Sequence, residues 1–237
     1  MTHLLFLEDS YLREFEARVS KVAEDGVVLD RTAFYAGGGG QPCDVGVLVI
    51  NGQEYPVTHV GRSGGDIVHR VDGPVLGVDD EVNGRLDWDR RYSLMRTHTA
   101  LHILCGVIWR DFGAKVTDGD MKTGEARMDF ELEHMTAEFA NEVEERINAE
   151  VAAARGVLVS NVSRREADQI PDLIRTKINL LPPNIQEVRT IDIKGLDLQA
   201  DGGTHVANTR EVGTIKVVGH ESKGRINKRL RISLVAP

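Results

Sequence analysis

Along the first eighty residues, apolar and polar positions alternate in short bursts broken by turn residues. Phe15, Ala17 and Val19 alternate with Glu14, Glu16, Arg18 and Ser20, the period-2 pattern of a strand with one buried face. Asp25-Gly26 leads into Val27-Val28-Leu29, and Asn51-Gly52 separates residues 46–50 from residues 54–60. Ser63-Gly64-Gly65-Asp66 precedes a further apolar run at 67–71. Asn-Gly and Asp-Gly pairs adopt positive φ readily, so these breaks predict hairpin turns. Short strands with turns this frequent predict a small N-terminal β-barrel-like domain over residues 1–85.

The period then changes. Leu94, Met95, Leu101, Leu104 and Ile108 fall at helical spacings over residues 93–109. Leu132, Met135, Phe139, Val143, Ile147 and Val151 recur every three or four residues, an apolar stripe for a core, with Gly156 placed to stop the helix. Its other face carries Glu131, Glu133, Glu138, Glu142, Glu144, Glu145 and Glu150 and is expected to be solvated. Ser163-Arg164-Arg165-Glu166 matches a capping box for a short third helix, and Pro182-Pro183 marks a loop or turn. Strands are expected at 188–193, 212–218 and 229–235. Residues 86–237 therefore predict a C-terminal α+β domain, with an antiparallel sheet packed by helices, and the whole chain falls in the α+β class.

Composition narrows the function classes. The chain has 237 residues, 41% of them hydrophobic, and a formal charge of −8. This excludes a disordered tail, a collagen-like chain and a disulfide scaffold. The two cysteines, Cys43 and Cys105, suit free thiols in a reducing cytoplasm. No apolar run approaches a membrane span, and Met1-Thr2-His3 lacks the basic start of a signal peptide. The charge is unevenly placed. Residues 131–150 carry −6, whereas residues 221–237, with Lys223, Arg225, Lys228, Arg229 and Arg231 against Glu221, carry +4. A basic end on an acidic chain fits local contact with an anionic polymer.

Three segments could carry chemistry. His98-Thr99-Ala100-Leu101-His102 places two imidazoles at i and i+4 on one face of a predicted helix, able to grip one metal ion. No glutamate follows the first histidine, so the metalloprotease pattern is absent. Asp201-Gly202-Gly203-Thr204-His205 adds a carboxylate and a third imidazole, at a glycine turn expected to precede a strand. Three imidazoles and a carboxylate suit zinc. The plainer reading makes Asp201 a turn residue and His205 an ordinary strand histidine; the remaining histidines are unpaired surface or core residues. The third segment is Gly37-Gly38-Gly39-Gly40, flanked by Thr32, Tyr35 and Gln41. It is neither a P-loop nor a dinucleotide fingerprint. It is a flexible loop or a place where backbone approaches a ligand closely.

Taken together, the order Thr-Ala-Phe-Tyr…Gly-Gly-Gly-Gln, then His-Thr-Ala-Leu-His, then Gly-Gly-Thr-His-Val-x-Asn-Thr-x-Glu-Val-Gly resembles the alanyl-tRNA editing domain. In a chain without synthetase parts it resembles AlaX, the free-standing alanyl-tRNA editing family, of the medium-length type. The resemblance implies an ATP-independent aminoacyl-tRNA deacylase of the cytoplasm. It would hydrolyse tRNA(Ala) mischarged with serine, or glycine, and so protect translation fidelity. It also implies one Zn²⁺ per chain, held by His98, His102 and His205. The family's fourth ligand is a cysteine, and its position holds Asp201 here. Asp201 then binds the metal through oxygen, or hydrogen-bonds a ligand or a metal-bound water, or leaves a weak site; the first is the expectation.

By the same resemblance Thr32, with Gln41 beside it, is the group that recognises the seryl hydroxyl. Apart from the resemblance, the side-chain-free backbone of Gly38, Gly39 and Gly40 suits close approach to the substrate, and the basic end with Arg229 and Arg231 is expected to touch tRNA. Arg90, Arg91, Arg96, Arg175 and Lys177 lie near the motifs and are further candidates for such contact. Rival readings are a seryl-tRNA(Thr) deacylase, a metal hydrolase of small esters or amides, and a non-catalytic tRNA-binding module with a decayed metal site.

Overall fold

The computed structural model describes residues 2–73, 76–176 and 185–235; Lys177 and the Pro182-Pro183 pair lie outside them. Two compact units follow one another, Met1–Ser93 and Leu94–Pro237.

The first unit is a closed six-stranded barrel. After a two-residue strand β1 (His3–Leu4) come β2 (Glu14–Ala23), β3 (Gly26–Leu29), β4 (Arg31–Thr32), β5 (Gly46–Ile50), β6 (Gln53–Ser63), β7 (Asp66–Val71) and β8 (Glu81–Leu86). The ring runs β2-β3-β7-β6-β5-β8 and closes antiparallel between β8 and β2. The alternation seen in sequence sets its inside. Phe15, Ala17 and Val19 are buried while Glu14, Glu16, Arg18 and Ser20 are exposed, and they pack with Leu29, Phe34, Leu48, Val60 and Ile67.

Polar residues are enclosed here too, His69 and Thr32 among them. The imidazole of His69, on β7, is fully buried, with Nε2 2.8 Å from the Thr32 hydroxyl and Nδ1 3.3 Å from the Val27 carbonyl oxygen. Burial pulls its pKa from 6.5 to about 4, against the raising effect of the Val27 carbonyl. A base whose pKa is depressed on folding stabilises the fold fully above its unfolded value, and that contribution is lost as pH falls from 6.5 through 4. A shift of this size corresponds to roughly 3 kcal/mol. Urea unfolding of His69→Gln is expected to show lower stability at pH 7 and a flatter loss between pH 6.5 and 4 than the parent. Parallel curves would exclude His69 as the source.

The second unit is α+β. Helix α1 (Trp88–Phe112) begins in the first unit and runs into the second. It is followed by β9 (Val116–Lys122), β10 (Glu125–Phe130), α2 (Ala137–Ala152), β11 (Val157–Ser163), α3 (Arg164–Ala167), β12 (Glu187–Ile193), β13 (Asp197–Ala200), β14 (Ile215–Gly224) and β15 (Asn227–Leu234). They form two antiparallel sheets, β14-β15-β10-β9 and β11-β12-β13. Leu94, Met95, Leu101, Leu104 and Ile108 are buried, as are Val143, Ile147 and Val151 of α2. The Ser163–Glu166 capping box is present on α3.

Four expectations are corrected. Helix α2 starts at Ala137 under a Thr136 cap, so Leu132 and Met135 precede it. It ends before Ala154, whose φ of +51° turns the chain, and not at Gly156. Glu150 is buried between Arg110 and Arg155, not solvated. The segment after Asp201 leads to a 3-10 turn at Thr209–Val212, so the strand expected there starts only at Ile215.

Candidate metal centre

The helical spacing acts as the sequence suggested. His98 and His102 sit one turn apart on α1, with ring centroids 5.1 Å apart. The second pair reaches them from a loop. β13 ends at Ala200, Asp201 turns the chain, and its Oδ2 accepts the Gly203 N–H at 2.6 Å. Arg189 fixes this loop, its Nη1 donating to the carbonyl oxygens of Asp201 (3.0 Å) and Gly203 (2.9 Å). His205 thereby stacks on His98 at 4.2 Å between centroids, and its Nδ1 lies 3.2 Å from the Thr99 hydroxyl. That contact leaves Nε2 of His205 facing Asp201 Oδ2 at 3.1 Å.

His98, His102, Asp201 and His205 each offer one ligand atom, and these atoms lie within 4.8 Å of one another. Asp201 Oδ1 is 3.5 Å from His98 Nε2 and 4.0 Å from His102 Nε2. Tetrahedral zinc with bonds near 2.0 Å separates its ligands by about 3.3 Å, so atoms up to 4.8 Å apart need close in by no more than about 1.5 Å. Protonation also suits a cation. Burial pulls His98 down to about 4 and His205 well below its usual value, so both imidazoles are neutral. Burial alone would raise Asp201, but His98, the His205 hydrogen bond and His102 hold it well below the usual carboxylate range. Deprotonated ligands are what a metal requires. The donor set fits a divalent ion; nitrogen and oxygen donors alone do not choose zinc among such ions. Cys105, though close in sequence, is buried with its thiol pKa pushed up, and it is absent from the cluster.

The remaining sequence candidates are placed as follows. In the first unit, Gly37, Gly38, Gly39 and Gly40 all have positive φ, at 75°, 138°, 58° and 85°. They make a tight turn closed by reciprocal backbone bonds between Gly38 and Gln41 at 3.0 and 2.9 Å. The run of glycine is thus a conformational requirement, not slack. Gln41 is buried, and the Tyr35 hydroxyl donates to the Gly38 carbonyl oxygen at 3.0 Å. Thr32 is fully buried and accepts the Phe34 N–H at 3.1 Å besides meeting His69. His69 is the residue that sequence reasoning passed over. An isolated histidine in a strand gives no signal beyond lying on the inward face.

Several arginines turn out to be engaged within the protein. Arg91 is fully buried against Asp44, Arg96 donates to the Val212 carbonyl oxygen, and Arg175 pairs with Asp197. In the basic terminal hairpin Arg229 grips both oxygens of Asp129 at 2.6 and 2.8 Å. Lys228 is buried and donates to two carbonyl oxygens of the turn. Arg231 is 46% exposed and pairs with Glu221 at 3.2 Å. No helix among the described residues is long and apolar enough to cross a membrane.

Comparison with known proteins gives this geometry a context. Residues 6–90 match the family of class II (A) tRNA synthetases, and residues 188–231 match the second additional domain of threonyl and alanyl tRNA synthetases. The chain is 40% identical over 242 residues to the alanyl-tRNA editing protein AlaX-M of Methanosarcina barkeri, covering 99% of this chain and all of that protein. It is 41% identical to AlaX-M of Saccharolobus solfataricus, over 97% of this chain and 98% of the other. It is likewise 41% identical to the alanine–tRNA ligase of Pyrococcus abyssi over 93% of this chain, which corresponds to 24% of that enzyme.

Proposed function

This chain belongs to the AlaX family of alanyl-tRNA editing proteins, and from that premise we propose that it releases serine from mischarged tRNA(Ala), with glycine as a second substrate. It is a deacylase, and its reaction is attack of water on the aminoacyl ester. The observation that carries the reading is the convergence of His98, His102, Asp201 and His205, two neutral imidazoles and one carboxylate charge among them. These four would hold a Zn²⁺, which when bound lowers the pKa of water or polarises the ester carbonyl. The compartment is the cytoplasm, where aminoacyl-tRNA is used.

Selection for serine falls to Thr32. With His69 neutral and its Nδ1–H directed at Val27, Nε2 accepts the Thr32 hydroxyl proton. The Thr32 oxygen takes the Phe34 N–H on one lone pair. Its other lone pair can accept a hydrogen bond, which a seryl hydroxyl can donate and an alanyl methyl cannot, provided the substrate displaces the packing that fully encloses Thr32 in the free protein. A group of this kind is what lets a site reject the analogue that lacks the hydroxyl. Gln41 and the Gly38–Gly40 backbone shape the same loop. Thr32→Val is expected to lower seryl release by about tenfold relative to glycyl release, the value of one hydrogen bond of about 1.4 kcal/mol. An unchanged Ser-to-Gly ratio would remove Thr32 from selection.

Contact with tRNA is local, at the exposed basic positions of the β14–β15 hairpin, Arg231 among them, while Arg229 braces the strand through Asp129. The decisive experiment measures the metal content of the purified protein together with its hydrolysis of Ser-tRNA(Ala), Gly-tRNA(Ala) and Ser-tRNA(Thr). Metal-dependent release from tRNA(Ala) supports the reading. Faster release from tRNA(Thr), or tight tRNA binding with no release, overturns it.

A further inference from the structure

Beyond the four clustered residues, His102 has one atom that the cluster does not use. Its Nε2 faces Asp201, while its Nδ1 is buried and, among the described residues, has no hydrogen-bond partner. The nearest acidic atom is Asp197 Oδ2, 3.7 Å away. That is about 0.5 Å beyond a normal N–H···O bond. Asp197 itself is fully enclosed and firmly held. Its Oδ1 accepts from Arg175 Nε at 3.3 Å and its Oδ2 from the Gln199 amide. Arg175 lies over the Trp109 ring at 4.8 Å and also donates to the Asp172 carbonyl oxygen. Both oxygens of this enclosed carboxylate are thus held in place, with Oδ2 turned toward His102.

The chain makes room for this carboxylate at one place on α1. A Cβ added at Gly106, one turn beyond His102, would lie 2.9 Å from Asp197 Cβ and 3.0 Å from Leu196 Cγ. Only a residue without a side chain lets the start of β13 rest on the helix there. The same strand thus presents Asp197 to one nitrogen of His102 and, just past its end, Asp201 to the other.

We propose that Asp197 is a positioning residue for His102: it accepts the Nδ1 proton, fixes the tautomer and so aims the Nε2 lone pair at the metal. The proposal rests on the four-residue cluster being a metal site. A neutral imidazole carries one proton, and ligation by Nε2 places it on Nδ1, inside the protein. There it needs an acceptor, and a carboxylate is the strongest available. Loss of such a partner lowers metal affinity about 10–100-fold.

The test is titration of the metal-free full-length protein with Co²⁺ and Zn²⁺, followed by visible absorption and by ¹⁵N spectra of the histidine rings. The parent is expected to bind one equivalent of Co²⁺, with His102 in the Nδ1–H tautomer. Asp197→Asn is expected to bind about 10–100-fold more weakly, with an altered cobalt spectrum and a mixed His102 tautomer. Gly106→Ala, which keeps every ligand and every charge but displaces Asp197, is expected to move the same readouts in the same direction. Should Asp197→Asn fail to fold, Gly106→Ala alone decides. Unchanged affinity, cobalt spectrum and tautomer in a folded variant overturn the role of Asp197 while leaving the metal centre standing. A parent that takes up no metal overturns the metal centre, and this inference with it.

Discussion

Alanine at His98 is expected to lower the affinity for a divalent metal and the deacylase activity together, each by at least about 100-fold. His98 is central to the cluster: it stacks on His205, meets His102 edge-on and lies 3.5 Å from Asp201. Removing it leaves two imidazoles and a carboxylate, and the loss should exceed the 10–100-fold that outer partners of a ligand carry. The fold should survive, because what is deleted is an imidazole that burial already holds neutral near a pKa of about 4. Metal analysis of the purified variant, beside deacylation rates with and without added Zn²⁺, checks the pairing of the two losses. Activity retained without metal would take the metal out of the mechanism.

The largest effect on stability is expected in the first unit, at Asp44→Ala. Arg91 and Asp44 form an ion pair with side chains 0% and 1% exposed. The guanidinium donates to Asp44 Oδ2 through Nε at 2.9 Å, to the Ser10 carbonyl oxygen at 2.9 Å and to the Ala33 carbonyl oxygen. Asp44 Oδ2 also accepts the Tyr35 N–H at 2.7 Å, just before the glycine turn. Deleting the carboxylate strands a buried cation and an amide, which costs roughly 3–5 kcal/mol. Urea unfolding at pH 7 measures it, and a loss under about 1 kcal/mol would contradict the picture of a desolvated pair.

These two sites differ in how readable they were. The His/Asp cluster was legible because its spacing is local: i and i+4 on a helix, and a carboxylate four residues before a histidine around two glycines. The barrel was legible for a similar reason, since alternation and Asn-Gly or Asp-Gly turns are written in adjacent residues. The pairing of Arg91 with Asp44 spans 47 positions, and arginine is so seldom fully enclosed that surface contact was the natural expectation. Asp197 and His69 were hidden likewise: each acts through a neighbour that only tertiary packing supplies. Strand β9, Val116–Lys122, escaped notice because its polar sequence has no clean alternation and its pairing with β10 sets it. The end of α2 was misplaced because Ala154, not the nearby glycine, takes the left-handed conformation.

The turn at residues 37–40 has one more consequence. At Gly39 nothing lies within 4 Å of where a Cβ would be, and at Gly38 only the Tyr35 hydroxyl, at 3.5 Å. Crowding therefore does not keep side chains out at those two positions; chirality does, because the φ angle of every glycine in the run is positive, in the half of conformational space that L-residues rarely adopt. A D-amino acid at Gly39 would sit there at ease and would stiffen the unfolded chain, whereas its L-counterpart would resist the turn. The loop is guarded by handedness.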